Sequence, residues 1–99
     1  MALLPREEID QALSGDLSSW RIAGDDGDAI TREVEASSFL SGISLVQQVA
    51  EAAESMNHHP DIDIRYTTLT FTLSTHSEGG LTANDLELAG KIDTLAANA

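Results

Sequence analysis

The chain has 99 residues, of which 17 are acidic and 5 are basic, so its formal net charge is −12. This length predicts one domain, spanning residues 1–99, with a single modest core. The negative charge disfavours direct binding to nucleic acid or to an anionic membrane surface, because both carry negative phosphates. No apolar run approaches the roughly 20 residues that cross a bilayer, and there is no cysteine for a disulfide or a zinc–thiolate site. We expect a cytoplasmic protein, since the N-terminus also lacks a basic-then-apolar secretion signal.

The first third of the chain predicts a short helix followed by a β-hairpin. Pro5 suits the first turn of a helix, and Ser14-Gly15 ends an apolar stripe with helical spacing. Two stretches of alternating apolar and polar residues follow, one around Trp20 and one over residues 30–34. The Gly-Asp-Asp-Gly run between them supplies turn chemistry. We interpret these stretches as two antiparallel strands.

A long central helix is predicted after Ser37 or Ser38, either of which can cap it. Its apolar residues recur every three or four positions from Phe39 to Ala53. Proline disfavours the helical conformation in the residue before it, so Pro60 predicts that the helix ends at about Asn57 or His58. His58 and His59 therefore lie at the helix exit.

Two further strands are predicted beyond this point. The apolar residues of 62–66 share one parity and those of 69–73 share the other, so a tight turn or a bulge lies between Tyr66 and Leu69. Counting it as a turn gives a last strand over residues 68–75, with one apolar and one polar face. His76 would continue the polar face and point away from the core, while Tyr66 is expected to pack.

A closing helix follows the Gly79-Gly80 loop. Thr82 can cap it, with Asp85 at its third position. Gly90 inside this helix costs up to about 1 kcal/mol relative to alanine. Such a cost is tolerable where another backbone packs close, which makes a subunit contact one explanation for Gly90.

The element order α-β-β-α-β-β-α predicts an α+β fold, a four-stranded antiparallel sheet with helices packed on one face. In this layout the end of the central helix and the end of the fourth strand could converge. That convergence would bring His58, His59 and His76 together.

All three histidines of the chain fall within the 23 residues from Glu54 to His76. Histidine gives and takes protons near neutral pH, so adjacent histidines fixed by Pro60 indicate an acid–base pocket. Histidine and carboxylate groups could instead bind a divalent metal. Adjacent histidines seldom both face one ion, and we predict neither a metal nor a cofactor.

These residues resemble the signature of the pterin-4a-carbinolamine dehydratases, also known as dimerisation cofactors of a homeodomain transcription factor. The resemblance covers roughly residues 5–97. The matching positions are Trp20, the run Glu54-Ser-Met-Asn-His-His-Pro60, Tyr66, the run Leu73-Ser-Thr-His76, the Gly-Leu-Thr at 80–82, and Asp85.

The resemblance implies that 4a-hydroxytetrahydrobiopterin is dehydrated to quinonoid dihydropterin and water, which recycles the cofactor of aromatic amino acid hydroxylases. It also implies a homodimer or homotetramer. His58, His59 and His76 would be catalytic, two as proton donors and acceptors and one mainly holding the pterin, with the assignment left open. Glu54 would orient one imidazole, unless it lies on a solvated helix face.

The same resemblance suggests three further substrate-binding or orienting residues. Trp20 is either a pocket wall or a core residue. Pro60 would fix the conformation of the two adjacent histidines. Asp85 is favoured as a helix cap over a substrate contact. The alternative function is a non-catalytic dimerisation or assembly partner of another protein complex, because the family has that second use.

Overall fold

The computed structural model describes residues 2–99, so Met1 of the predicted domain lies outside the described residues. Three α-helices are present in this range: α1 (Arg6–Ser14), α2 (Phe39–Met56) and α3 (Ala83–Ala96). The four strands are β1 (Arg21–Ala23), β2 (Ala29–Glu35), β3 (Asp61–Arg65) and β4 (Thr68–Leu73). Their order confirms the predicted α+β class. Within residues 2–99, none of the helices has the length and apolarity needed to span a membrane.

The strands form one antiparallel sheet in the order β1-β2-β4-β3. Strands β2 and β4 lie at its centre and pair from Ile30 opposite Leu73 to Glu35 opposite Thr68. Arg65 pairs with Thr68 across the β3–β4 connection, so the change of parity is a tight turn. Tyr66 occupies this turn with a positive φ of 53° and is 76% exposed. The expectation that Tyr66 packs is therefore wrong, because its side chain projects from the tip of a hairpin.

The core lies between one face of the sheet and the helices. Strand β4 shows the alternation most clearly, because Leu69, Phe71 and Leu73 are fully buried while its threonines are half-buried. Helices α2 and α3 supply further fully buried residues, including Val49 and Ile92. Each such side chain contributes about 1.5–3 kcal/mol when it leaves water. The odd-numbered residues of β4 therefore face the core, and the even-numbered threonines face away from it.

Strand β4 ends at Leu73, two residues earlier than predicted. Thr75 forms an isolated bridge with Gly80, and its carbonyl accepts hydrogen bonds from the amides of Glu78 and Gly79. These bonds close a 3₁₀ turn over His76–Glu78, with Gly79 at a positive φ of 74°. His76 is exposed, as expected, but the prediction that it continues the strand is wrong because the backbone turns there.

The two ends of α2 are fixed by hydrogen bonds at its caps. Ser38 is the N-cap: its hydroxyl accepts from the Ser41 amide at 3.1 Å, and the Ser41 hydroxyl accepts from the Ser38 amide at 3.0 Å. At the other end Asn57 adopts the left-handed conformation with φ 50°. The amide of His58 then donates to the Ala53 carbonyl, which is a Schellman closure. The helix exit thus lies where Pro60 predicted it.

Candidate active site

His58 leaves the end of α2 and is almost fully buried, with 9% of its surface exposed. Its Nε2 lies 2.6 Å from Oδ1 of Asp85, near the start of α3. Asp85 is completely buried. Burying a charged carboxylate is costly unless it is paired and hydrogen-bonded, and this imidazole is one of its partners. The sequence placed both residues in the site, but their contact was not predicted.

The second oxygen of Asp85 accepts two hydrogen bonds. The Thr75 hydroxyl donates to Oδ2 at 2.8 Å, and the backbone amide of Thr82 donates to the same atom at 2.9 Å. The second bond confirms Asp85 as part of the cap of α3. The hydroxyls of Thr75 and Thr82 also lie 2.8 Å apart, and both threonines are buried. Asp85 therefore serves the helix and the histidine at once.

Sequence reasoning missed Thr75 and the hydroxyl of Thr82 as site residues. A usable signal was present for Thr75, which has the same parity as the buried Leu69, Phe71 and Leu73. A polar side chain on the inward face beyond a strand needs a buried partner. That requirement directs Thr75 towards another buried polar group, and Asp85 is that group.

Glu54 contacts His59 rather than His58. Oε2 of Glu54 lies 2.5 Å from Nε2 of His59. Four-residue spacing would bring Glu54 beside His58 only if the helix continued, but the left-handed Asn57 ends the helix first. Both side chains are exposed, at 76% for Glu54 and 55% for His59. Glu54 therefore orients an imidazole that a solute can reach.

His76 lies directly after Thr75 in the chain and begins the 3₁₀ turn. Because Thr75 is bonded to Asp85, and Asp85 to His58, the segment that carries His76 is joined to the residues that hold His58. His76 and His59 are both exposed, whereas His58 is buried. The convergence of the three imidazoles on one substrate stays a prediction.

The structure places Trp20 in the hydrophobic core, with 3% of its surface exposed. Its indole N–H donates to Oδ1 of Asp93 on α3 at 2.8 Å, and Arg32 of β2 forms an ion pair with the same oxygen. This position corresponds to the core interpretation of Trp20. Pro60 is half-buried and lies in the chain between the two adjacent histidines and the first residue of β3.

Metal ligation has no geometric support in the described part of the chain. Across residues 2–99, no three or more histidine, cysteine, aspartate or glutamate side chains are grouped so that they could hold a metal ion. The carboxylates of Glu54 and Asp85 instead contact different histidines.

Comparison with known proteins finds matches along nearly the whole chain. Residues 2–95 match the family model described as pterin 4 alpha carbinolamine dehydratase. A Nocardia farcinica protein, provisionally named as a pterin-4-alpha-carbinolamine dehydratase, is 57% identical over 94 residues, which are 95% of each chain. A crystal structure from Brucella melitensis, described as a transcriptional coactivator/pterin dehydratase, has a TM-score of 0.88 at 34% identity, over 95% of this chain and 98% of that one.

A more distant structure shares the fold. It is a pterin dehydratase-like protein identified as a RuBisCO assembly factor in the alpha-carboxysome, with a TM-score of 0.67 at 22% identity, over 79% of this chain and 89% of that one. The family resemblance read from the histidine motif is confirmed by the family match and the 57% identical relative. The chain belongs to the pterin-4-alpha-carbinolamine dehydratase family.

Proposed function

We propose that this protein dehydrates 4a-hydroxytetrahydrobiopterin to quinonoid dihydropterin and water by histidine acid–base catalysis, without a cofactor. The observation that carries the proposal is the buried His58–Asp85 pair inside the motif of a dehydratase family. A buried carboxylate that holds an imidazole at 2.6 Å gives that ring one orientation. Fixed orientation is what general acid–base catalysis requires of its proton carriers.

The reaction needs two proton movements and no redox step. The oxygen on C4a must receive a proton to leave as water, and N5 must lose a proton as the C4a–N5 double bond forms. An imidazole pair, one ring charged and one neutral, can perform both movements, and solvent then restores the starting state. Positioned groups of this kind typically contribute about 10²–10⁴-fold to the rate.

The three histidines differ in ways that suit different tasks. His58 is buried and held, whereas His59 and His76 are exposed and can meet a substrate arriving from solvent. Glu54 limits the orientation of His59. We therefore propose His58, His59 and His76 as the catalytic set, with Glu54 and Asp85 as orienting residues.

The physiological role we propose is recycling of the pterin cofactor used by aromatic amino acid hydroxylases, in the cytoplasm. The absence of cysteine is compatible with a reducing compartment. A hydroxylase encoded beside this protein would support the role. Loss of this protein without any build-up of the carbinolamine or its by-products in cells would contradict it.

The activity can be measured directly. Purified protein is mixed with chemically generated 4a-hydroxytetrahydropterin, and the decay of the carbinolamine is followed by ultraviolet absorbance. We expect decay faster than in buffer, and slower decay in His58→Ala, His59→Ala and His76→Ala. Ser77→Ala, an exposed neighbour of His76, serves as the matched control. A wild-type rate equal to buffer rejects the proposal.

The expected homodimer or homotetramer has a candidate contact surface at the start of α2. Phe39, Leu40 and Ile43 near the start of α2 are 47%, 78% and 36% exposed. Neighbouring exposed apolar side chains favour a contact with another protein. We propose that this surface forms a homodimer or homotetramer. Leu40→Glu should then lower the mass measured by light scattering, with the exposed Gln47→Glu as control; a monomeric wild type contradicts the idea.

Gly90 gains no explanation from packing within the chain. A Cβ built at Gly90 would meet no atom within 4 Å outside its own helix turn. The backbone contact expected at Gly90 is therefore not made by the described part of this chain. A subunit contact at Gly90 stays a prediction.

The second candidate function is non-catalytic assembly with another protein complex. Reproducible capture of a different protein complex from the cells would favour this assembly role over the enzyme alone.

A further inference from the structure

Four buried side chains form a continuous series of hydrogen bonds. The series runs from the Thr82 hydroxyl to the Thr75 hydroxyl at 2.8 Å, from Thr75 to Oδ2 of Asp85 at 2.8 Å, and from Oδ1 of Asp85 to Nε2 of His58 at 2.6 Å. At most 9% of any of these residues is exposed. Water therefore has little access to replace any of these bonds.

The direction of each bond follows from the number of protons available. A carboxylate only accepts hydrogen bonds, so Thr75 donates its one hydroxyl proton to Oδ2 of Asp85. The bond between the two threonines must then take its proton from Thr82. Oδ2 also accepts from the Thr82 backbone amide. Both donors to Oδ2 are thereby fixed, and Oδ1 remains for His58.

The remaining proton lies between Oδ1 of Asp85 and Nε2 of His58. An ionised carboxylate has no proton to donate, so the ring must donate this hydrogen bond from Nε2. A neutral His58 therefore carries its hydrogen on Nε2 and its lone pair on Nδ1. No buried side-chain nitrogen or oxygen of residues 2–99 lacks a partner, and the ring bonds through Nε2. Nδ1 must then lie in the 10% of the side-chain surface that is exposed to solvent.

We propose that Thr75 is a positioning residue that, through Asp85, fixes His58 in the Nε2–H tautomer and makes Nδ1 the proton acceptor of the site. The tautomer of His58 does not depend on the proposed dehydration; only the role of Nδ1 as proton acceptor rests on that proposed function. Without the Thr75 hydroxyl, the Asp85 carboxylate loses one of the donors that aim it. With the carboxylate free to rotate away from Nε2, the bond that selects the Nε2–H tautomer would be weakened, and the other tautomer would become populated.

In the dehydration, Nδ1 of His58 takes the proton from N5, and the N5–H electron pair becomes the second bond between N5 and C4a. The C4a–O electron pair leaves with the oxygen, which takes a proton from the imidazolium of His59 or His76. The products are water and quinonoid dihydropterin, and the proton on His58 returns to the other ring through solvent.

The test uses Thr75→Val, which keeps the side-chain shape but removes the hydroxyl, and Thr75→Ser, which restores it. Thr31→Val is the matched control, because Thr31 is also buried and donates to the Phe71 carbonyl, outside this series. The first readout is the tautomer of His58, measured by nitrogen-15 NMR of the ring in the neutral state. The second is kcat for carbinolamine decay, separated from KM.

We expect the wild type and Thr31→Val to show Nε2 protonated and Nδ1 unprotonated. Thr75→Val should show a mixture of tautomers and a kcat lower by about tenfold with a smaller change in KM, as expected for one lost buried hydrogen bond. Thr75→Ser should recover most of both. A wild-type His58 protonated on Nδ1 overturns the inference, whether or not the protein is active and whether or not Thr75→Val folds. A Thr75→Val enzyme with the kcat of Thr31→Val also overturns it.

Discussion

Asp85 and His58 lie 27 residues apart in the chain, yet their side chains meet at 2.6 Å inside the protein. Asp85 belongs to the first turn of α3, and His58 follows the last turn of α2. The contact therefore joins the end of one helix to the beginning of another. A change at either helix end should reach the imidazole.

Asp85→Asn should retain the fold but lose most of the activity. The amide oxygen can still accept from Thr75 and the Thr82 amide, which leaves the NH₂ group facing Nε2 of His58. His58 would then have to accept at Nε2 and carry its proton on Nδ1, the wrong atom for a base. We expect kcat to fall at least about tenfold and stability to fall by about 1–3 kcal/mol. Kinetics and urea denaturation measure both, with the exposed Asp61→Asn as control.

The Glu54–His59 pair should contribute little to stability. Both side chains are exposed, and pairs of this kind typically give about 0.2–1 kcal/mol that salt screens. A double-mutant cycle with Glu54→Gln and His59→Gln, followed by urea denaturation at low and high salt, measures the coupling energy. Glu51→Gln, exposed on the same helix, is the control. A coupling energy well above this range that persists in high salt would contradict the prediction.

Asn57 should tolerate glycine better than alanine. Its φ of 50° is left-handed, a conformation that costs most residues about 1–2 kcal/mol and glycine almost nothing. Asn57→Ala should therefore unfold at lower urea concentration than Asn57→Gly. Because the His58 amide bonds to Ala53 through this cap, the alanine variant should also disturb the NMR signals of the His58 ring. Equal stability of the two variants would show that the helix ends differently in solution.

Glu35 should titrate below its ordinary pKa of 4.5, because it accepts hydrogen bonds from Thr67 and then from Thr68. A carboxyl group whose pKa is lower in the folded state stabilises the protein above its unfolded pKa, and loses this contribution as the pH falls through its folded pKa. NMR titration of the Glu35 carboxyl measures the shift. Thr67→Val should return the pKa of Glu35 towards 4.5, whereas Thr70→Val, on β4 and not bonded to Glu35, should leave this pKa unchanged.

The element order and the core faces could be predicted because they follow from local periodicity. The parity of β4 identified its buried residues, and Pro60 placed the end of α2 correctly. The contact of His58 with Asp85 could not be predicted in this way, because it depends on how two helices pack. The contact of Glu54 with His59 depended on one backbone angle at Asn57, which helical spacing does not reveal.

The position of His76 shows the same limit on a smaller scale. Alternation along the predicted strand gave the correct exposure for His76, but its place in a 3₁₀ turn depends on the carbonyl of Thr75 accepting from three later backbone amides. Strand propensity in the run of threonines before it gives no sign of that turn.

Two of the three carboxylates on helix α3 have separate roles: Asp85 contacts His58, and Asp93 contacts Trp20 and Arg32. They are eight residues apart, which is about 12 Å along a helix axis. Sliding α3 by one turn, about 5.4 Å, would break every one of these bonds together. Trp20, just before β1, and Arg32 on β2 thus help to hold the alignment of a histidine to which neither is hydrogen-bonded.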